Sequence, residues 1–114
     1  MVTSYAFLHG GGQGSWVWRE LIAALELQSA GTYGRAIGLD VPGCGVKRAR
    51  DTADITIEDI AGELISDIEN AGMENVVLVG HSQAGQAMCY MAKKRPGLFR
   101  QLVYISCSIP LAGQ

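Results

Sequence analysis

Short apolar segments alternate with longer amphipathic ones along the whole chain. Four of the short segments are apolar enough to be buried strands, and they lie at residues 4–8, 35–40, 75–79 and 102–106. The third is apolar at four consecutive positions, Val76 to Val79, which is typical of a parallel strand covered on both faces. This pattern predicts a sheet that is buried on both sides.

The segment between the second and third strands has the clearest helical pattern. Thr56 and Asp59 resemble a capping box at its start, and Gly72 stands where a helix end favours positive φ. Between them, apolar residues recur at helical spacing: Ile57, Ile60, Ala61, Leu64, Ile65 and Ile68.

Two further helices are predicted, one after the first strand and one after the third. Ser15 can cap the first of these, which ends near Gly31 and Gly34. Its inward face would carry Trp18, Leu21, Ile22 and Leu25. The other spans residues 83–94 and closes with basic residues, which suit a helix C-terminus.

The resulting order of elements is βαβαβαβ. Strands that alternate with helices in this way form a parallel sheet, with crossovers that place helices on both faces. The predicted fold class is therefore α/β, with a four-stranded, parallel, doubly wound sheet.

Length, composition and charge exclude several classes of protein. The chain has 114 residues, enough for one domain, and its 48% apolar content is that of a folded chain. A formal net charge of −2 disfavours a nucleic-acid partner. No apolar run reaches the ~20 residues of a membrane helix, and the start of the chain lacks the pattern of a signal peptide. The cysteines are far apart and lack metal-ligand spacing, so we expect reduced thiols, no bound metal and a cytoplasmic protein.

Ser82 lies where the third predicted strand gives way to the third predicted helix. Small residues surround it, with Gly80 two positions before and Ala84 and Gly85 two and three positions after. A strained strand-to-helix turn needs small neighbours, because its backbone crowds them. Such a turn presents the hydroxyl at a helix N-terminus, where N–H groups stabilise developing negative charge. We therefore predict Ser82 as a catalytic nucleophile and the N–H of Gln83 as an oxyanion donor.

A run of glycines follows the first predicted strand, between His9 and Trp16. Without side chains, the N–H groups of such a run can face a ligand directly. Gly11 is the predicted second oxyanion donor, with Gly12 close behind it. His9, Gly12, Trp16 and His81 are candidates for lining the pocket. A loose turn is the simpler interpretation, but it leaves the flanking His9 and Trp16 unexplained.

Together with a third segment, residues 40–45, these motifs resemble the N-terminal half of an alpha/beta-hydrolase. Residues 9–16 are similar to the family's H-G-x(6)-W oxyanion loop, residues 40–45 to its D-x-P-G-x-G loop, and residues 80–84 to its nucleophile elbow. The similarity is greatest to the branch of plant-type methylesterases and hydroxynitrile lyases and their bacterial relatives. The lyases of that branch usually have Thr where this chain has Gly10, which favours an esterase.

The resemblance implies a strand order in which the first strand lies between the second and the third, with the fourth beyond the third. The glycine run and Ser82 would then meet at the point where the order reverses, where ligands bind in such sheets. It also implies that residues 1–114 are the N-terminal half of a hydrolase core domain, with later strands and a cap segment beyond Gln114. An exposed edge of the fourth strand would favour self-association.

The catalytic machinery is incomplete in these residues. A serine hydroxyl needs a general base, and the base needs an orienting carboxylate. In alpha/beta-hydrolases both follow the serine, yet no His, Asp or Glu follows Ser82. His9 and His81 are close in sequence to the motifs, but a His without an orienting acid is a poor base, and the resemblance makes both positions structural. We therefore expect little turnover from this chain alone.

The remaining polar residues have simpler interpretations. Asp40 is expected to bind N–H groups of its own loop. Lys47, Arg48 and Arg50 are expected to lie in a solvated loop rather than an anion site. Trp16 and Trp18 are expected to pack the first helix, with Trp16 also able to wall the pocket.

Two functions from different classes are compatible with these features. The leading one is a serine hydrolase of the carboxylesterase type, acting on a small-molecule ester without a metal or organic cofactor. Hydroxynitrile lyase is the alternative within that class, with the same serine as a base. The other class is a catalytically inactive fragment or binding module that retains half a pocket. The absent base favours the second class, and the intact elbow and oxyanion loop favour the first.

Overall fold

Residues 2–28 and 34–106 are described by a computed structural model of the chain. They form, in order, β1 (Ser4–Leu8), α1 (Arg19–Gln28), β2 (Ala36–Leu39), α2 (Ile57–Asn70), β3 (Val76–His81), α3 (Ala84–Lys94) and β4 (Phe99–Ile105). Two short 3₁₀ helices, Ser15–Trp18 and Gly45–Lys47, lie in the loops that follow β1 and β2. Among these described residues, no helix is both long enough and apolar enough to cross a bilayer.

The strands are all parallel and lie in the order β2-β1-β3-β4. Leu8 at the end of β1 pairs with Leu39 of β2 and with Gly80 of β3, so these three strands reach the same edge of the sheet. The order reverses between β1 and β3, which confirms the predicted fold class and the predicted switch point. β4 forms one edge of the described sheet, and self-association through it stays a prediction.

Each face of the sheet has its own apolar cluster, because side chains alternate along the strands. Leu78 of β3 is buried in the cluster that contains α2 and α3, which pack against each other on that face. Its neighbour Val77 points to the opposite face, where Trp18 is buried and Ile22 of α1 packs. Helices therefore cover both faces, as the element order predicts.

α2 matches its sequence pattern closely. The Thr56 hydroxyl accepts a hydrogen bond from the Asp59 N–H at 3.0 Å, and the Asp59 carboxylate accepts one from the Thr56 N–H at 3.1 Å. This confirms the capping box, which satisfies two N–H groups that a helix start leaves without partners. The helix ends before Gly72, whose φ is +73°. Its buried residues are Ala61, Leu64, Ile65 and Ile68.

α1 differs from the prediction in its start and in its buried face. Ser15 begins a 3₁₀ turn instead of capping an α-helix, and the cap residue is Gly14, without a side-chain hydrogen bond. Because a 3₁₀ turn has fewer residues per turn, it shifts the phase of the helix that follows. Leu21 is consequently 46% exposed, whereas Trp18 is buried as predicted. The predicted end at Gly31 lies outside the described residues.

β3 and β4 are longer than the apolar pattern predicts. β3 starts one residue later than predicted, at Val76, and continues to His81. β4 begins at Phe99 and ends one residue earlier than predicted, at Ile105, and the two strands pair from Val76 with Phe99 to His81 with Ile105. The pattern missed these ends for a physical reason. Gly80 carries no side chain to signal a strand, and Gln101 is an exposed residue on an edge strand.

Ion pairs join the loop after β2 to α2. Arg48 and Arg50 are exposed, as expected for a solvated loop, whereas Lys47 is half-buried and paired with α2. Lys47 Nζ lies 2.7 Å from Glu63 Oε2 and 2.6 Å from Asp67 Oδ2. Arg50 donates two hydrogen bonds, of 2.7 and 3.0 Å, to the carboxylate of Glu63. The hydrogen bonds from Arg50 and Lys47 lower the pKa of Glu63 to about 2. Arg48 instead donates to the Gly45 carbonyl within the same loop.

Candidate active site

Ser82 stands on the turn between β3 and α3 in a left-handed backbone conformation, with φ at +59°. This conformation costs a residue with a side chain ~1–3 kcal/mol, so the surrounding structure must hold it. The Ser82 N–H donates to the carbonyl of Ile105 at 3.2 Å, which attaches the turn to β4. The Gly85 N–H donates to the carbonyl of Ser82 at 3.4 Å and so begins α3.

The residues around Ser82 must be small because there is no room for a larger side chain at Gly80. A methyl group added at Gly80 would overlap Met88 Sδ and lie 3.1 Å from the Cβ of Ala84. Met88 is completely buried, so any shift of its side chain would disturb the core around it. The positions two before and two after the serine therefore press against each other, as a strand-to-helix turn of this kind requires.

The glycine run lies directly beside this turn. A methyl group added at Gly10 would lie 3.2 Å from Ser82 Cβ and 3.4 Å from His81 Nδ1. A methyl group added at Gly11 would collide with the side-chain oxygen of Gln83. The structure thus brings together the serine and both residues predicted to donate to an oxyanion.

The two predicted oxyanion donors form no hydrogen bond with the rest of the described protein. The N–H groups of Gly11 and Gln83 donate no hydrogen bond to any residue in the ranges 2–28 and 34–106. Over the same ranges, the hydroxyl of Ser82 has no hydrogen-bond partner. Two such N–H groups beside a serine can donate hydrogen bonds to a negatively charged oxygen.

His9 is buried and has both ring nitrogens engaged. Its Nε2 accepts a hydrogen bond from the Val41 N–H at 3.0 Å, so the ring proton of the neutral form resides on Nδ1. Nδ1 in turn donates to the Gly10 carbonyl at 2.7 Å. His9 therefore joins the glycine run to the loop after β2, and neither nitrogen is directed at the serine.

The two other flanking candidates, His81 and Trp16, lie in different places. His81 is half-buried beside Gly10 and does not line either of the cavities described below. Trp16 is 60% exposed, whereas Trp18 packs against Phe7 with ring centroids 5.2 Å apart. The expectation that both tryptophans pack the first helix is therefore wrong for Trp16.

Asp40 binds a different loop from the one expected. Its buried carboxylate accepts a hydrogen bond from the Ser15 N–H at 2.7 Å, in the loop after β1. Gly45, with φ at +54°, lies so close to Asp40 that a methyl group there would overlap the carboxylate. The sequence pattern placed Asp40 at the end of the second strand and gave no sign of this partner, which is distant along the chain.

Two cavities flank the glycine run. The first has a volume of about 450 Å³ and includes His9, Gly11 and Gln83 in its lining. Ser82 is not among its lining residues, but its neighbours Gly10 and Gln83 are, so the cavity adjoins the serine rather than enclosing it. The second cavity, of about 460 Å³, includes Gly12 and Trp16.

Sequence reasoning missed most of the side chains that line the first cavity. The sequence places Val41 in a loop and Ile57 and Ile60 in an apolar helical stripe, yet all three form part of the cavity wall. Gln86 and Ala87, on the first turns of α3, complete that side. The one available signal was Gln86, which stands one helical turn after Gln83 on the same face.

Cys44 and Cys89, the cysteines in the described ranges, do not form a site with each other. Cys44 lines both cavities as a free thiol, and Cys89 Sγ lies 3.4 Å from the hydroxyl of Tyr104. No three His, Cys, Asp or Glu side chains in the described part of the chain are grouped so that they could hold a metal ion.

Comparisons with known proteins agree with the fold. Residues 6–114 match the profile of the Alpha/beta hydrolase family. "Probable esterase PIR7A" of Oryza sativa subsp. indica is 32% identical over 111 residues, which are 96% of this chain and 41% of that protein. "Carbendazim hydrolyzing esterase" of Nocardioides sp. (strain SG-4G) is 28% identical over 112 residues, which are 98% of this chain and 45% of that protein.

Among solved structures, the methylesterase protein MES16 from Arabidopsis superposes with a TM-score of 0.82 at 22% identity, a likeness of fold. The superposition covers 99% of this chain and 47% of that one. The chain thus spans less than half the length of each of these three proteins. The family profile covers nearly all of its residues, and the chain belongs to the alpha/beta hydrolase family.

Proposed function

We propose that this chain carries the nucleophile and the oxyanion hole of a carboxylic-ester hydrolase. The observation that supports this most directly is the backbone of Ser82, held at φ +59° between β3 and α3 and pressed against Gly10. Strain of this kind persists where the surrounding structure maintains it, and functional sites are where it concentrates. The named esterases among the relatives support the same class of reaction.

In the proposed reaction, Ser82 Oγ attacks the acyl carbon of an ester, and its proton passes to a general base. The N–H groups of Gly11 and Gln83 donate hydrogen bonds to the carbonyl oxygen and stabilise the negative charge that develops on it. Such donors contribute most in the transition state, and the loss of one typically costs ~3 kcal/mol. The alcohol then leaves, and water releases the acyl group from the serine.

The general base and its carboxylate are proposed to come from outside these 114 residues. No His, Asp or Glu follows Ser82 in the sequence, although this family places both partners after the serine. Both nitrogens of His9 already bind backbone groups, at 2.7 and 3.0 Å, which disfavours it as the base.

The proposed substrate is a small ester without charged groups near the reacting carbon. The cavity beside Gly11 and Gln83 measures about 450 Å³, and the described residues that line it include no Asp, Glu, Lys or Arg. Apolar walls from Val41, Ile57 and Ile60 would bury an acyl or alcohol group by the hydrophobic effect. A charged group there would lose its hydration without gaining a partner.

A second candidate is a binding module that retains the pocket without turnover. The observation that favours it is the Ser82 hydroxyl, which has no hydrogen-bond partner among residues 2–28 and 34–106. It predicts that a small ester binds to the protein and is not cleaved.

The test is ester hydrolysis by the protein expressed from its complete reading frame. We expect cleavage of p-nitrophenyl butyrate, no cleavage of mandelonitrile, and a loss of at least ~10³-fold in kcat/KM in Ser82→Ala. Ser66→Ala, at an exposed position on α2, is the matched control and should retain the full rate. An unchanged rate in Ser82→Ala would refute the proposal. Binding without cleavage would favour the second candidate, and mandelonitrile cleavage would favour the lyase.

A further inference from the structure

The peptide units on both sides of Gly10 are held by hydrogen bonds with His9 and Gln13. The Gly10 N–H donates to Oε1 of Gln13 at 3.1 Å. The Gly10 carbonyl accepts from His9 Nδ1 at 2.7 Å and from the Gln13 N–H at 3.3 Å. Gln13 therefore binds Gly10 twice, once through its side chain and once through its backbone.

Holding the Gly10 carbonyl also sets the direction of the Gly11 N–H. The two groups belong to one planar peptide unit, and in a trans peptide the C=O and the N–H point in opposite directions. The peptide bonds of residues 2–28 and 34–106 are all trans. When the carbonyl of Gly10 is bound by His9 and Gln13, the N–H of Gly11 is turned away from them.

A glycine run depends on such contacts more than other loops do. Glycine readily adopts both signs of φ, so Gly10, Gly11 and Gly12 have little conformational preference of their own. Gly12 has φ at +73°, and among the described residues no atom beyond its two chain neighbours lies within 4 Å of the place where its Cβ would be. Side-chain packing therefore does not fix this turn at Gly12, which leaves the hydrogen bonds to Gly10 to define it.

We propose that Gln13 is a positioning residue that orients the Gly11 N–H for the oxyanion. The inference rests on the proposed function, because it assigns Gln13 a part in the same oxyanion hole. Gln13 does not line the cavity beside Gly11 and Gln83, and lines the other cavity instead. It acts through Gly10, and its side chain does not contact the substrate.

A role in orienting the donor differs measurably from a role in substrate binding. An oxyanion donor acts on the transition state more than on the bound ester, so its misalignment lowers kcat and leaves KM nearly unchanged. Gln13→Met keeps the length of the side chain and removes the acceptor oxygen. In the protein from the complete reading frame, we expect kcat to fall ~10- to 100-fold with KM within ~3-fold. Gln28→Met, at an exposed position on α1, is the matched control and should keep both parameters.

Amide hydrogen exchange tests the same contact without any need for activity. Losing its acceptor should make the Gly10 N–H exchange ~10-fold faster or more in Gln13→Met. Gln13→Glu keeps an acceptor oxygen at the same reach and should restore slow exchange. Gln13→Asn is too short to reach and should behave like Gln13→Met, so it replaces that variant if the methionine protein does not fold.

The outcomes separate this inference from the proposed function. If Ser82→Ala retains the esterase rate, the proposed function is wrong, and with it the role assigned to Gln13. Suppose instead that the rate depends on Ser82, while Gln13→Met leaves kcat unchanged or changes only KM. The positioning role alone is then wrong. Unchanged exchange of the Gly10 N–H in both Gln13→Met and Gln13→Asn would also overturn it.

Discussion

The backbone N–H of Val41 donates a hydrogen bond to Nε2 of His9, 3.0 Å away, and so joins the loop after β2 to the end of β1. The same ring donates from Nδ1 to the Gly10 carbonyl. A ring that is 2% exposed and bound at both nitrogens has no free atom with which to take a proton from Ser82. The position of His9 at the start of the glycine run is therefore explained by loop structure.

Replacing His9 should show whether its role is to hold the loops together or to act as the general base. In His9→Gln, the amide can still make part of these hydrogen bonds, so we expect kcat/KM to fall by at most ~10- to 100-fold. Ser82→Ala should lose far more, and the midpoint of the acidic limb of the pH–rate profile should not move in His9→Gln. The measurement is kcat/KM against pH for both variants. A loss in His9→Gln equal to that in Ser82→Ala would identify His9 as the base.

The fold was predictable where one residue's environment is set by its near neighbours. The capping box at Thr56 and the buried stripe to Ile68 are local patterns, and both are present in α2. The exposure of Leu21 was not predictable, because it follows from a 3₁₀ turn at Ser15. That turn is accompanied by a hydrogen bond from Ser15 to Asp40, in a loop that lies elsewhere in the sequence.

The candidate site also has features that the sequence predicts and features that it does not. The strained turn at Ser82 could be inferred, because small residues must surround such a serine wherever it occurs. The contact between Gly10 and Gln13 could not, since nothing in the sequence indicates which loop atom a glutamine side chain will bind. The ion pairs of Lys47 with α2 were missed for a related reason, because a charge run has no local signature of its partners.

The backbone strain at Ser82 predicts an unusual order of stability among its variants. With φ at +59°, alanine at this position keeps the strain, whereas glycine removes it. We therefore expect Ser82→Gly to be more stable than Ser82→Ala by ~1 kcal/mol, with both variants inactive. Urea unfolding measures the difference.

The matched control for this prediction is Ser66, an exposed residue inside α2. In a right-handed helix the preference reverses, so Ser66→Gly should be less stable than Ser66→Ala by ~1 kcal/mol. If glycine were the less stable choice at both serines, Ser82 would not be under strain.

The crowding at Gly80 predicts a large cost for a single methyl group. Gly80→Ala would place that methyl against Met88 Sδ and 3.1 Å from the Cβ of Ala84, so we expect a loss of ~1–3 kcal/mol. Gly62 is the contrasting position, since its added methyl would lie 4.0 Å from Lys94 Cε. Gly62→Ala should stabilise the protein by up to ~1 kcal/mol, because alanine favours the helix. Equal effects of the two substitutions in urea unfolding would contradict the packing described for Gly80.

The ion pairs of Glu63 predict how stability depends on pH. Arg50 and Lys47 lower the pKa of Glu63 to about 2 from its ordinary value of 4.5. Because the folded-state pKa is the lower one, the stabilisation is fully present above pH 4.5 and is lost as the pH falls toward 2. Water and salt screen these partly exposed groups, so we expect the contribution to be about 1 kcal/mol.

Unfolding free energies of the wild type and Glu63→Gln between pH 2 and 7 provide the measurement. The difference between the two proteins should be constant from about pH 5 to 7 and should shrink steadily below pH 4.5. Glu26→Gln, which removes the same charge from an exposed position on α1, should show a much smaller difference over the whole range. Added salt should reduce the effect of Glu63→Gln, because screening weakens exposed ion pairs. A difference that stays constant down to pH 2 would mean that the carboxylate of Glu63 does not contribute through its charge.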